Sequence, residues 1–233
     1  TTVAGTGSYG STLNKLYSPR DVSLDSSGNV YVADFNNNRI MKWAPGATEG
    51  VTIISNIIYP YGIHVDASDN IYVSSNNKHV VYKYTYADGS YTQSTVAGKR
   101  SDNGPELNQL YSPAGIHVDS AGNVYVVDLG NHRVVKWPPN AVVGEVVAGG
   151  SGQGSALNQL NSPRGLTVDD SGNVYVADYN NSRIVKWGPE ATEGAIMYNS
   201  ISSFDLEFDN FGNLYAIDYN NNLIKKFSPG DSS

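Results

Sequence analysis

Two histidines and a glutamate occupy one recurrent position in this chain. Five similar segments end on Asp25, Asp66, Asp119, Asp169 and Asp209, and two places before them stand Ser23, His64, His117, Thr167 and Glu207. Imidazole nitrogens and a carboxylate are donors that zinc accepts, so His64, His117 and Glu207 form a competent ligand set if the fold brings them together. Their neighbours alternate apolar, as in Ile63/Val65 and Ile116/Val118. This register therefore faces away from the main apolar packing. A second chemical pattern pairs an acid with a base, as Asp34/Arg39, Asp128/Arg133 and Asp178/Arg183, with both partners lost in Ser75/Val80 and the base alone lost in Asp218/Leu223. Arg clamps a carboxylate through two hydrogen bonds, so the pattern predicts a salt bridge across a loop. A bridge built three times is architecture, not one active site.

The elements that must position these residues follow from a repeat. "SGNVYVADYNNSRIVKW" (171–187) recurs as "SGNVYVADFNNNRIMKW" (27–43), "SDNIYVSSNNKHVVYKY" (68–84), "AGNVYVVDLGNHRVVKW" (121–137) and "FGNLYAIDYNNNLIKKF" (211–227). The turn positions Gly28, Asp69, Gly122, Gly172 and Gly212 are spaced 41, 53, 50 and 40 residues apart. A period near 40–50 with strand character belongs to propeller blades. Each unit reads as four strands, rich in residues that pack on a pleated surface. The last unit, ending "KKFSPGDSS", has no fourth strand of its own, whereas "TVAG" at 2–5 matches "TVAG" at 95–98 and "VVAG" at 146–149. The expected fold is all-β: one domain over 1–233, a five-bladed propeller of four-stranded antiparallel blades, closed by the N-terminal strand 2–5 completing the last blade. The blades fall near 16–54, 59–98, 111–149, 161–198 and 201–228.

Repetition also sorts architecture from function. The five aspartates open D-x-x-G/D-N turns, where a short carboxylate caps backbone N–H groups. Trp43, Tyr84, Trp137, Trp187 and Phe227 share one third-strand position and read as blade-packing aromatics. His79 and His132 sit in Asn-rich loops and read as solvated turn residues.

The stretch "SPRGLTVDDSGNVYVADYNNSRIVKW" resembles an NHL repeat, and "GNHRVVKW" (130–137) comes close to the tripeptide that names the family. The resemblance implies a β-propeller, usually of six blades. It also implies a choice of roles, because NHL propellers include protein-binding and RNA-binding platforms, and relatives include a metal-dependent peptide-amidating lyase whose channel metal is held by histidines. Only two of five positions here are His, and no catalytic Tyr or Arg of that enzyme is matched.

The formal charge of −7 and the lack of a basic run disfavour nucleic acid and anionic membranes. No apolar stretch approaches the roughly 20 residues that span a bilayer. Cysteine is absent, so there is neither a disulfide frame nor a thiol nucleophile.

Function in a propeller is expected where the blades differ. Connections at 5–19, 98–113 and 149–163 are long, and those near 55–60 and 198–203 are short. On the same face the residues Arg20, Tyr61, Arg164 and Phe204 begin first strands, while Phe35, Tyr179 and Tyr219 stand in loops. Aromatics with two arginines on an uneven face read as a recognition surface. The leading expectation is a non-enzymatic, monomeric scaffold, extracellular or secreted, that binds a protein, peptide or carbohydrate there and requires no cofactor. The alternative is a metal-dependent lyase or hydrolase with zinc or calcium in the central channel, held by His64, His117 and Glu207.

Overall fold

A computed structural model of the chain describes residues 2–229. It is a five-bladed β-propeller. Blade 1 is the meander β1 (Pro19–Leu24), β2 (Val30–Asp34), β3 (Arg39–Trp43), β4 (Val51–Ser55), and blade 2 is β5 (Pro60–Val65), β6 (Ile71–Ser75), β7 (Val80–Ala87), β8 (Ser90–Gly98). Blade 3 holds β9 (Ile116–Val118), β10 (Val124–Asp128), β11 (Arg133–Trp137) and β12 (Glu145–Gly149). Blade 4 holds β13 (Leu166–Val168), β14 (Val174–Asp178), β15 (Arg183–Trp187) and β16 (Ala195–Asn199). Blade 5 has three strands, β17 (Ser203–Phe208), β18 (Leu214–Asp218) and β19 (Leu223–Phe227). All pairings within the blades are antiparallel.

The turn between first and second strands is built as its sequence demands. Asp25 Oδ1 accepts the backbone N–H of Ser27 and Asn29, and Oδ2 accepts from the Asn29 amide and the Tyr31 hydroxyl at 2.7 and 3.0 Å. The same set recurs at Asp66, Asp119, Asp169 and Asp209. Burial pushes the Asp25 carboxyl up, but the bonds from Asn29, Tyr31 and Lys42 outweigh it and hold the group down at about 2. The tyrosine one step along the second strand is thus a fixed part of the blade, with a lysine ammonium over its ring in every blade.

Apolar packing runs from blade to blade. Tyr31, Ala33, Ile40 and Ile54 of blade 1 meet Ile63, Val65, Val73 and Tyr84 of blade 2, and the pattern repeats to blade 5. Trp137 and Trp187 are fully buried at these contacts, and Trp43 is equally buried in blade 1. Inner strands approach backbone to backbone: a Cβ on Gly165 would stand 2.4 Å from the Cα of Asp205.

The seam between blades 5 and 1 is different. Val22 and Leu24 are 54% and 60% exposed, while their counterparts Ile63 and Val65 are 3% and 8%. Ile224 on the facing side is 65% exposed, against 0% for Ile184. The expectation that residues 2–5 complete the last blade is not met. That segment forms no strand, and β19 has no fourth-strand partner among the described residues. Ala4 packs instead, with Leu16, on Val32, Met41 and Trp43 of blade 1. Ala97 and Ala148 take the same place against Trp137 and Trp187. The shared "VAG" therefore encodes a packing position against the next blade, which the segment fills without pairing to β19.

Candidate functional site at the channel mouth

Of the five register positions on the inner strands, Ser23, His64 and Glu207 line one cavity. Ser23 Oγ is used as an acceptor for the Val65 N–H at 3.0 Å, and Thr167 is buried with no partner for its hydroxyl. His64 and His117, from adjacent blades, stand with ring centroids 5.4 Å apart. Burial lowers both imidazoles to about 4, the neighbouring His64 adding to the effect at His117. Glu207 lies across the channel, on blade 5. Among the described residues no group of three or more His, Cys, Asp or Glu is placed to hold a metal ion. The ligand set His64, His117 and Glu207 is thus not assembled, because a shared register fixes height along the channel but not distance across it.

Glu207 instead joins Asp21 and Asp205, which the register reading passed over. These two carboxyls hydrogen-bond to each other, and Asp21 Oδ2 also accepts the Ile63 N–H at 2.7 Å. Burial drives Asp21 up to about 6 and Asp205 well above the carboxylate range, with the charge of Asp21 adding to the rise at Asp205. Glu207 is open to solvent in the channel yet walled by protein, and burial with the charge of Asp21 raises it to about 7. The signal was two residues upstream: Asp21 and Asp205 stand where blades 2, 3 and 4 have Gly62, Gly115 and Gly165. The acids line a cavity of about 450 Å³ that runs into the open seam past Val22, Leu24 and Ile224.

At the mouth above them, the seven residues Arg20, Tyr61, Arg164, Phe204, Phe35, Tyr179 and Tyr219 form one connected cluster. The Arg164 guanidinium lies 4.5 Å from the ring centroid of Tyr179 and 4.6 Å from that of Phe204. Its Nη1 donates to the Tyr61 hydroxyl at 3.0 Å. Arg20 covers Phe35 at 4.8 Å and Tyr61 at 5.5 Å. Tyr219 packs edge-on against Phe204, and Tyr59, not singled out from sequence, stacks on Phe35 at 4.9 Å. Blade 3 contributes no aromatic at this level, only Leu129 and the small, buried Ala114, and the Arg164 side chain reaches past it to blade 2.

The acid–base pairs hold the loops around this face. Arg39 Nε meets Asp34 at 2.7 Å, and its Nη atoms donate to the carbonyls of Ser11, Thr12 and Lys15. Asp34 Oδ1 in turn accepts the Tyr17 N–H. Arg133 and Arg183 repeat this on 105–109 and 155–159. Each long connection precedes a blade that has the pair, and each short one precedes a blade that lacks the arginine. Where the connection is short, Ser75 donates to the Ile58 carbonyl and Asp218 pairs with Lys225. His79 and His132 are not merely solvated turn residues. Each accepts, through Nδ1, the backbone N–H of a serine at the start of the next blade, Ser112 or Ser162.

A family model for the NHL repeat matches residues 16–43, 110–137 and 160–187, the three segments that contain the Asp/Arg pairs. Three of the five propeller blades thus carry the NHL repeat. No curated protein sequence matches the chain. Solved structures do resemble this propeller. One, titled a nidogen/laminin complex, superposes with a TM-score of 0.73 at 19% identity over 93% of this chain and 82% of its own. The gluconolactonase XC5397 from Xanthomonas campestris gives 0.70 at 14%, covering 95% and 80%. An auxiliary nutrient binding protein from Bacteroides ovatus gives 0.63 at 18% over 76% of this chain, which spans 49% of that protein. At such identities the likeness is one of fold.

Proposed function

We propose that this NHL propeller is a non-enzymatic binding scaffold whose ligand, a protein, peptide or carbohydrate, docks on the channel-mouth face. The observation that carries the reading is the cluster itself: two guanidiniums and six aromatic rings, from blades 1, 2, 4 and 5, in continuous contact. Aromatic and Arg side chains are the commonest anchors of recognition surfaces. The loops around them are tied down by buried ion pairs, so little ordering cost falls on binding. A nutrient binding protein and a nidogen/laminin complex among the structural relatives are consistent with such a role.

The test is a glycan and peptide array probed with the wild-type chain and with a Tyr219→Ala/Tyr59→Ala variant. Both tyrosines are exposed, so the fold should tolerate their loss. Signals that fall at least tenfold in the variant support the reading. Signals indifferent to it, or none at all, overturn it.

A further inference from the structure

The mouth cluster holds two cations that the protein does not neutralise. Arg39, Arg133 and Arg183 each close on a buried aspartate. Among the described residues, Arg20 and Arg164 have no carboxylate within ion-pair distance. The Nε of Arg164 is buried without any acceptor, and the one hydrogen bond of that guanidinium goes to a neutral phenol. Arg20 rests on ring faces. Desolvating a cation without a counter-charge is costly unless something else supplies the anion. Both guanidiniums converge on Tyr61, one over its ring and one at its hydroxyl, so a single anion can lie between them.

The rings fix what that anion is attached to. Tyr59 and Tyr219 are 40% and 54% exposed beside the two cations, stacked on Phe35 and edge-on to Phe204. They offer flat apolar surface next to a fork of charged donors. Guanidinium forks match carboxylates in geometry and bind them through paired hydrogen bonds. Pockets of this kind orient a ligand by a few polar groups and hold its body on aromatic walls. We infer that the mouth takes a carboxylate-bearing sugar, with the carboxylate between Arg20 and Arg164 and the ring faces against Tyr219 and Tyr59. This rests on the channel-mouth reading above and adds the ligand class to it.

Isothermal titration calorimetry on the whole chain, with α-1,4-linked trigalacturonate and the uncharged galactotriose of the same linkage, tests it. The acidic sugar is expected to bind at least tenfold more tightly in low salt. The advantage should shrink as salt rises, because the guanidiniums are partly exposed. Arg20→Met and Arg164→Met should each bring the acidic sugar close to the neutral one, and Arg164→Lys, which keeps the charge but not the fork, should retain part of the gain. Circular dichroism melts identify any variant that fails to fold, and Arg20→Met, altering an exposed side chain, keeps the test open if Arg164→Met does so. Equal affinity for the two sugars, an advantage that survives in both methionine variants, or no binding of the acid overturns the inference. If the array finds other ligands lost with Tyr219 and Tyr59 while the acid gains nothing, the ligand class fails and the face stands.

Discussion

Arg164 Nη1 donates a 3.0 Å hydrogen bond to the hydroxyl of Tyr61, joining blade 4 to blade 2 across the channel mouth. Successive blades meet through apolar faces and hydrogen bonds to the adjacent blade, whereas this tie passes over blade 3. It positions one guanidinium of the cluster and connects its two halves.

Tyr61→Phe keeps the ring under Arg20 and removes only the acceptor. A hydrogen bond to a charged group contributes roughly 1.5–3 kcal/mol when buried, and the half-buried setting here places the expected loss just below that range, at about 1 kcal/mol. Urea unfolding measures it. An unchanged midpoint would show that the tie carries no weight.

Arg183→Met removes the clamp on 155–159 and leaves Asp178 buried without its cation. Breaking one side of a buried pair typically costs roughly 3–5 kcal/mol. The same variant should make the 149–163 connection the first site of limited proteolysis, read by mass spectrometry of early fragments. Leu223→Met in blade 5, where no such pair exists, should change neither.

Stability against pH should reveal two opposed sets of groups in the channel. Asp21, Asp205 and Glu207 have folded values raised to about 6, well above the ordinary range, and about 7. Their contribution is full below the ordinary carboxyl range near 4 and is lost as pH rises through those folded values. His64 and His117, lowered to about 4, contribute above their ordinary value of 6.5 and lose it as pH falls toward 4. Three raised carboxyls against two lowered imidazoles should make the wild-type urea midpoint descend between pH 4.5 and 6.5. Glu207→Gln should flatten it over that window. The double variant His64→Gln/His117→Gln should make it descend more steeply. Parallel profiles for all three proteins would refute the assignment.

Equivalent isoleucines in different blades should respond unequally. Ile184→Ala empties a fully buried site and should cost roughly 2–4 kcal/mol, while Ile224→Ala, at the open seam, should cost less than about 0.5 kcal/mol. A matching loss at both positions, measured by urea unfolding, would mean that the seam is packed shut in solution.

The fold was legible because each blade repeats the same physical requirements: an aspartate turn, two alternating strands, a buried aromatic. The mouth cluster was legible for the same reason, since residues at one register of successive inner strands must meet around a channel. Closure was not. "TVAG" specifies an alanine that fits beside a tryptophan, and Ala4 does fit beside Trp43, but pairing with β19 depends on how far two blades splay. Distance across the channel was equally illegible: His64 and His117 are neighbours, while Glu207 belongs to blade 5. Asp21 and Asp205 went unnoticed because their counterparts are glycines, whose role is close backbone approach and gives no hint of an acid pair.

The arginine clamps bear on how such a face can diversify. A long connection and the Asp/Arg pair that grips its carbonyls behave as a cassette: blades 1, 3 and 4 have both, and blades 2 and 5 have neither in full. The clamp touches main-chain atoms, so the exposed side chains of 5–19, 98–113 and 149–163 are free to be rewritten while their backbone, with the packed Leu16, Leu110 and Leu160, stays anchored. Grafting a long connection onto blade 2 would accordingly require Ser75→Asp and Val80→Arg in the same step. A designer could then vary the rim of this propeller one blade at a time, much as a lock is re-keyed without recasting its barrel.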